Sequence, residues 1–224
     1  MKISYGITVY NEHEELNKLL EILIHKTDPE DEIVICIDGN DEKVQEVITS
    51  WVQQYGSDDV DKKKDIIVYN RKLDGNFAEH KNSVIEKSTG DYIFHIDADE
   101  YPHETLLQQL KPILEVNDNV DLIWIPRVNT VKGFTQTDVR RYGWRMTENN
   151  WVNYPDYQAR FFRRDETIRW TRPLHELITG CKTYAHLPPH EELSLYHPKT
   201  RKKQIQQNKF YQENFSRELN VRKG

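Results

Sequence analysis

Asp97 and Asp99 stand one residue apart just past the apolar run Tyr92-Ile93-Phe94-His95-Ile96. Backbone geometry at the end of a buried strand can turn two such carboxylates toward one ligand. Carboxylate oxygens favour hard divalent cations such as Mg²⁺ or Mn²⁺. A cation held there can bridge the phosphates of a nucleotide diphosphate and neutralise charge that builds on a leaving group. The plainer account is an acidic loop opening the next helix, where carboxylates are favoured; the strand in front of the pair argues for the metal. Two further polar clusters, Tyr10-Asn11-Glu12 and Asp38-Gly39-Asn40-Asp41, also close strand-like runs. A turn before Gly39 would account for Asp38 as well as ligand contact does.

The elements around these clusters predict how they come together. Residues 3–9 read as a strand. Residues 12–25 carry Leu16, Leu19, Leu20, Leu23 and Ile24 at a helical period. Residues 32–37 are almost continuously apolar, as in a strand covered on both faces. A helix over 43–55, a charged loop at 58–64, a strand over 65–69, a helix over 76–88 stopped by Gly90 and a strand over 91–96 complete the series. This alternation predicts a mostly parallel sheet flanked by helices. Ligands of such sheets bind outside the carboxyl ends of the strands, where all three clusters fall.

The second half is less regular. A helix is expected over 103–114 with Pro112 near its end, a strand over 122–126, a return to the sheet over 157–163 and a polar helix over 200–217. Residues 132–155 show no period and read as one long mobile segment. Its rings Phe134, Tyr142, Trp144, Trp151 and Tyr154 could stack on sugar faces as a closing lid. His186 and His190, beside Pro188-Pro189, read as loop residues. Arg201-Lys202-Lys203 could close over a diphosphate or form a solvated run.

Composition narrows the classes. The 224 residues suit a single domain with a full core. A net charge of −6, from 31 basic and 37 acidic residues, argues against nucleic acid as the main partner. The two cysteines, Cys36 and Cys181, do not make a disulfide framework, and Cys36 reads as a buried small hydrophobe. The N-terminus lacks a signal-peptide pattern, and no run approaches the ~20 apolar residues of a membrane span. A cytoplasmic protein without a transmembrane segment is expected. An aspartyl-nucleophile phosphatase would carry its Asp-x-Asp after the first strand, and a dinucleotide oxidoreductase would need Gly-x-Gly-x-x-Gly; neither pattern is present.

Taken in order, Thr8-Val9-Tyr10-Asn11-Glu12, Asp38-Gly39-Asn40-Asp41, Lys81-Asn82 and Thr89-Gly90-Asp91 through Asp97-Ala98-Asp99-Glu100 resemble family 2 glycosyltransferases of the GT-A fold, over residues 1–130. The strings Tyr157-Gln158-Ala159-Arg160-Phe161-Phe162-Arg163 and Leu174-His175-Glu176 resemble a subgroup of that family. The resemblance implies an α/β GT-A domain over 1–198, with a nucleotide-binding half at 1–100, an acceptor-side half at 101–198 and a C-terminal helical segment at 199–224. It implies that Thr8, Tyr10 and Glu12 form the first nucleotide-binding loop and that Asp38 accepts the ring N–H of a base, typically uracil. Lys81 matches a basic residue near the diphosphate, where arginine is more usual; a solvated helix face would account for it equally well. Asp97 matches the residue facing the ribose and the metal, and Asp99 the direct metal ligand; His197 matches a C-terminal histidine often brought to the metal. Glu100 stands where aspartate is commoner.

The family inverts the anomeric centre and needs a base for the acceptor hydroxyl. Its usual Glu-Asp pair is missing, which leaves Glu176 as the candidate and Asp156 as its rival. The implied function is transfer, with Mn²⁺ or Mg²⁺, from a nucleotide-diphosphate sugar, with UDP favoured by Asp38, to a glycan, lipid-linked or protein acceptor. The alternative is a non-catalytic nucleotide-sugar or carbohydrate-binding module of a larger assembly.

Overall fold

A computed structural model of the chain describes residues 1–56 and 64–216. The elements run β1 (Ile3–Val9), α1 (His13–Lys26), β2 (Glu32–Ile37), α2 (Glu42–Tyr55), β3 (Asp65–Asn70), α3 (Phe77–Lys87), β4 (Tyr92–Asp97), β5 (Tyr101–Pro102), α4 (Glu104–Glu115), β6 (Leu122–Ile125), β7 (Arg127–Lys132), α5 (Gln136–Tyr142), β8 (Gln158–Arg163), β9 (Arg169–Thr171), β10 (Leu177–Thr179), β11 (Tyr184–His186), β12 (Leu195–Thr200) and α6 (Arg201–Asn214).

A seven-stranded sheet in the order β11-β6-β8-β4-β1-β2-β3 forms the centre. β1, β2, β3 and β4 are mutually parallel, while β8 runs antiparallel to both β4 and β6. β2 is buried along its whole length, which explains its unbroken apolar sequence. One face is sealed by Leu16, Leu19, Leu20 and Leu23 of α1, which pack with Ile3, Ile7, Ile33 and Ile35 into the main core. The helices start where side chains supply caps. Asp41 accepts from Val44 N–H, and Asn76 accepts from Glu79 N–H. These caps fix the loops that leave the carboxyl ends of β2 and β3.

A second, three-stranded sheet, β5-β12-β7, stands beside that edge. Its register pairs His197 of β12 with Asn129 of β7. β12 was not visible in the sequence because Pro198 interrupts it. β5 reaches only Leu195 and Tyr196, so at Pro198 the strand is flanked by β7 alone and a missing N–H is tolerated. β9, β10 and β11 are three-residue strands, too short for a period to register.

The structure corrects three expectations. Residues 132–155 are ordered: α5 carries a complete capping box from Thr135 and Asp138, and Val152 forms bridges with Asn129 and Met146. Phe134, Tyr142 and Trp144 stack on one another with ring centroids 5.0–5.7 Å apart, so the irregular spacing of the rings comes from a folded cluster. His186 ends β11, and its ring stacks on Trp124 at 5.7 Å. The helix expected at 200–217 ends at Asn214; residues 217–224 lie outside the described residues. So does the charged loop at 58–64 except for Lys64, which is buried and donates to Thr27 Oγ1 at 2.6 Å. Among the described residues, no helix is long and apolar enough to cross a membrane.

Candidate functional site

The carboxyl ends of β1, β2 and β4 open into a cavity of about 1100 Å³, closed on the far side by β7, β12, β9, β10 and α6. That volume suits a nucleotide sugar with part of an acceptor. The ten residues selected from the sequence all line it: Thr8, Tyr10, Glu12, Asp38, Lys81, Asp97, Asp99, Asp156, Glu176 and His197. Their side chains divide into four groups.

At one end lies the β1–α1 loop. Glu12 accepts from the backbone N–H groups of Tyr10 and Asn11 at 2.9 and 3.1 Å, so its carboxylate shapes the loop. Tyr10 is 58% exposed, and its ring lies 3.6 Å from where a Cβ on Gly39 would stand. Gly39 has φ +88°, which a side chain would strain. Asp38 Oδ1 accepts from Leu73 N–H at 3.0 Å, tying the end of β2 to the loop after β3.

The centre is a chain of charges. Asp97 faces Thr8 Oγ1 at 3.5 Å, Lys81 Nζ at 3.2 Å and an Arg160 guanidinium nitrogen in closer contact. Burial favours its neutral form, but Arg160 and Lys81 outweigh that and hold its pKa well below the ordinary value. Arg160 also reaches Glu100 at 3.1 Å, Glu100 holds Arg127 at 2.5 Å, and Arg127 grips Asp156 Oδ2 through Nε at 3.0 Å and Nη2 at 2.6 Å. Asn129 donates to the same Asp156 oxygen at 2.8 Å. Arg127, Asn129 and Arg160 had no assigned role in the sequence reading, although Arg160 lies inside a quoted motif. The signal was an arginine at an inward position of β8, whose carboxylate partners come from distant segments.

Lys81 lines the cavity and does not lie on a solvated helix face. It is buried, and its ammonium is shared between Asp97 and Glu176 Oε1 at 3.2 Å each, over the Trp170 ring at 4.8 Å. It therefore ties two carboxylates together at the cavity wall. His95, behind this group, is fully buried with neither ring nitrogen hydrogen-bonded among the described residues. Burial and then Lys81 push its pKa well down, so it is neutral.

The third group is Asp99 with His197. Asp99 Oδ2 lies 3.4 Å from His197 Nε2 and 3.9 Å from Lys199 Nζ. His197 Nδ1 donates to Asn129 Oδ1 at 2.8 Å, so Nε2 is the nitrogen that faces Asp99: it donates to that carboxylate when the ring is protonated and offers a lone pair to a cation when the ring is neutral. Burial lowers the His197 pKa against the pull of Asp99. Burial acts to raise the Asp99 pKa, but a protonated His197 ring and Lys199 hold it below the ordinary carboxylate range. A carboxylate and a neutral imidazole converging in this way fit a hard or borderline cation that takes its remaining ligands from phosphate and water. The oxygens of Asp97 are held by Lys81 and Arg160. Among the described residues, no three His, Cys, Asp or Glu side chains form a cation-ready cluster.

The fourth group is the loop before β10. Arg172 and His175 have φ of +74° and +53°, uncommon for residues with side chains. Pro173 C=O accepts from Phe77 N–H at 2.9 Å, and Leu174 is buried. Those anchors hold a strained turn that aims Glu176 into the cavity, and such strain concentrates at functional positions.

The charge chain has a measurable consequence. Arg127→Met leaves Glu100 with Arg160 and the Asp97 backbone N–H, and removes both Arg127 contacts from Asp156. Urea unfolding should give a loss of about 3–5 kcal/mol, the usual cost of removing one partner of a buried pair. A loss under about 1 kcal/mol, as for exposed pairs, would show that the chain is solvated and structurally idle.

Several known proteins share this architecture. S. aureus TarS 1–349 superposes with a TM-score of 0.59 at 15% identity, covering 88% of this chain and 60% of that one. The same fragment in complex with UDP gives 0.62, with the same identity and coverage. A poly(ribitol-phosphate) β-glucosyltransferase of Bacillus spizizenii is 31% identical over 104 residues, which is 45% of this chain and 15% of that protein. The chain thus spans 60% of the TarS fragment and a small part of the curated relative. The pattern that defines glycosyl transferase family 2 matches residues 4–186, from the first core strand to the last strand of the central sheet. The chain belongs to glycosyl transferase family 2.

Proposed function

We propose that the chain transfers a sugar from a UDP-sugar to an acceptor hydroxyl, with inversion, in the cavity at the carboxyl ends of β1, β2 and β4. One observation carries the reading. In a family 2 chain, a nucleotide-sized cavity gathers Asp38, Asp97, Asp99 and Glu176 in its lining, with Glu176 and Asp97 joined through Lys81. Tyr10 and Asp38 hold the base, and Thr8 and Asp97 line the path of the ribose. Asp99 and His197 would hold Mn²⁺ or Mg²⁺, which when bound supplies positive charge to the diphosphate leaving group. Glu176 takes the acceptor proton, and Lys81 fixes its position relative to Asp97. TarS has been solved with UDP and with UDP-GlcNAc, which supports a uridine donor here.

Asp38→Asn tests the donor assignment. An asparagine oxygen can still accept from Leu73 N–H, so the loop should survive, while the second carboxylate oxygen is replaced by an NH₂ that cannot accept from uracil. UDP affinity should fall by about 1.5–3 kcal/mol, the range for a charged hydrogen bond. GDP affinity should change much less. Equal losses for both nucleotides in calorimetry would make Asp38 a turn residue only.

A further inference from the structure

The chain is acidic overall, yet one strip of its surface is strongly basic. From Lys132 to Arg145 there are four basic residues and one acid, Asp138. Asp138 is buried and already paired with Arg201 at 3.0 Å. Lys132, Arg140, Arg141 and Arg145 are exposed, and none makes an ion pair among the described residues. The first turn of α6 joins the strip through the Arg201–Asp138 contact and adds the exposed Lys202. Cations at the end of α5 could be explained by the helix dipole. That account leaves out Lys132 and Arg145, which lie beyond the helix.

The strip leads into the site. Trp144 ends the ring stack with Phe134 and Tyr142 and also lines the cavity. A chain lying along the strip would meet unpaired cations first, then aromatic faces, then the acceptor side of the cavity.

Resting on the transfer reading above, we propose that the acceptor is a polyanionic chain of polyols or sugars joined by phosphodiesters, which crosses α5 and the start of α6 and presents a hydroxyl beside Trp144. The cations grip its phosphates, and the rings pack against its carbon faces. The rings are half-buried and stacked on each other, so the strip lacks the protruding apolar side chains with which a protein enters a lipid surface. The strip is also narrow on a protein of net charge −6, which would repel a broad nucleic-acid duplex.

The test is a titration of the full chain with poly(ribitol phosphate), dextran, duplex DNA and phosphatidylglycerol vesicles, with UDP plus Mn²⁺ as a separate titration. Poly(ribitol phosphate) should bind and should weaken steeply between about 50 and 200 mM salt, because bound phosphates release counterions. Arg140→Glu/Arg141→Glu should weaken it by about tenfold or more, and Lys132→Glu by a smaller factor, with UDP affinity unchanged. Dextran binding as tightly as the polymer would overturn the proposal. So would DNA or vesicles binding more tightly per phosphate, or polymer affinity unaltered in both variants. A wild-type chain that binds UDP but not the polymer fails this proposal and leaves the donor reading intact. One that binds the polymer at this strip but not UDP fails the donor reading instead.

Discussion

Glu176→Gln is expected to lower sugar transfer by about 10²–10⁴-fold, the range for losing a general base. UDP affinity with Mn²⁺ should be nearly unchanged. The separation follows from geometry. Glu176 is held by Lys81 at 3.2 Å, at the end of a turn whose Arg172 and His175 are left-handed, and comes from a different segment than Asp38. Glutamine keeps an oxygen that can accept from Lys81, so the tie to Asp97 persists and only the proton acceptor is lost. The effect should therefore fall on kcat.

Asp156 is the rival base, and its surroundings argue for a different job. Three donors, two from Arg127 and one from Asn129, converge on a single oxygen. A carboxylate so held is committed to positioning Arg127 and Asn129, and through Asn129 the His197 ring. Asp156→Asn should cost stability first and turnover second. If Asp156→Asn abolished transfer at wild-type stability while Glu176→Gln did not, the two assignments would have to be exchanged.

The nucleotide-binding half was readable because its signals are local. β1, β2 and β4 are apolar runs of six or seven residues, and each polar cluster begins at a strand end, where chain direction alone decides which edge it joins. The other half was not readable in the same way. β12 carries a proline, β9 to β11 are three residues long, and α5 is held by a capping box and by rings that meet only after folding. The same difference runs through the site. Asp97 and Asp99 announce themselves by spacing. The partners that set their charge are Arg160 and Lys81 for Asp97 and His197 and Lys199 for Asp99; they come from β8, α3 and β12, and no spacing rule links them. Lys81 illustrates the limit. Its position in the sequence does not reveal that it is buried in α3 and shared between two carboxylates.

Asp99→Ala should reduce transfer by a hundredfold or more, about 3 kcal/mol of barrier, by removing the carboxylate that faces His197 Nε2. In the wild type, UDP affinity should be markedly higher with Mn²⁺ than with EDTA. In the variant the two titrations should nearly coincide, because a lone imidazole is a weak site for such a cation and the diphosphate would meet Lys199 as its remaining countercharge. Asp99→Asn should fall between them, since it keeps an oxygen but loses the charge. This series separates a metal role from a structural one. A merely structural Asp99 would lower stability in both variants and leave the Mn²⁺ dependence of UDP binding in place. Unchanged Mn²⁺ dependence and turnover in a folded Asp99→Ala protein would remove Asp99 and His197 as the cation site, and Asp97, already held by two cations, could not replace them without first releasing Lys81 or Arg160.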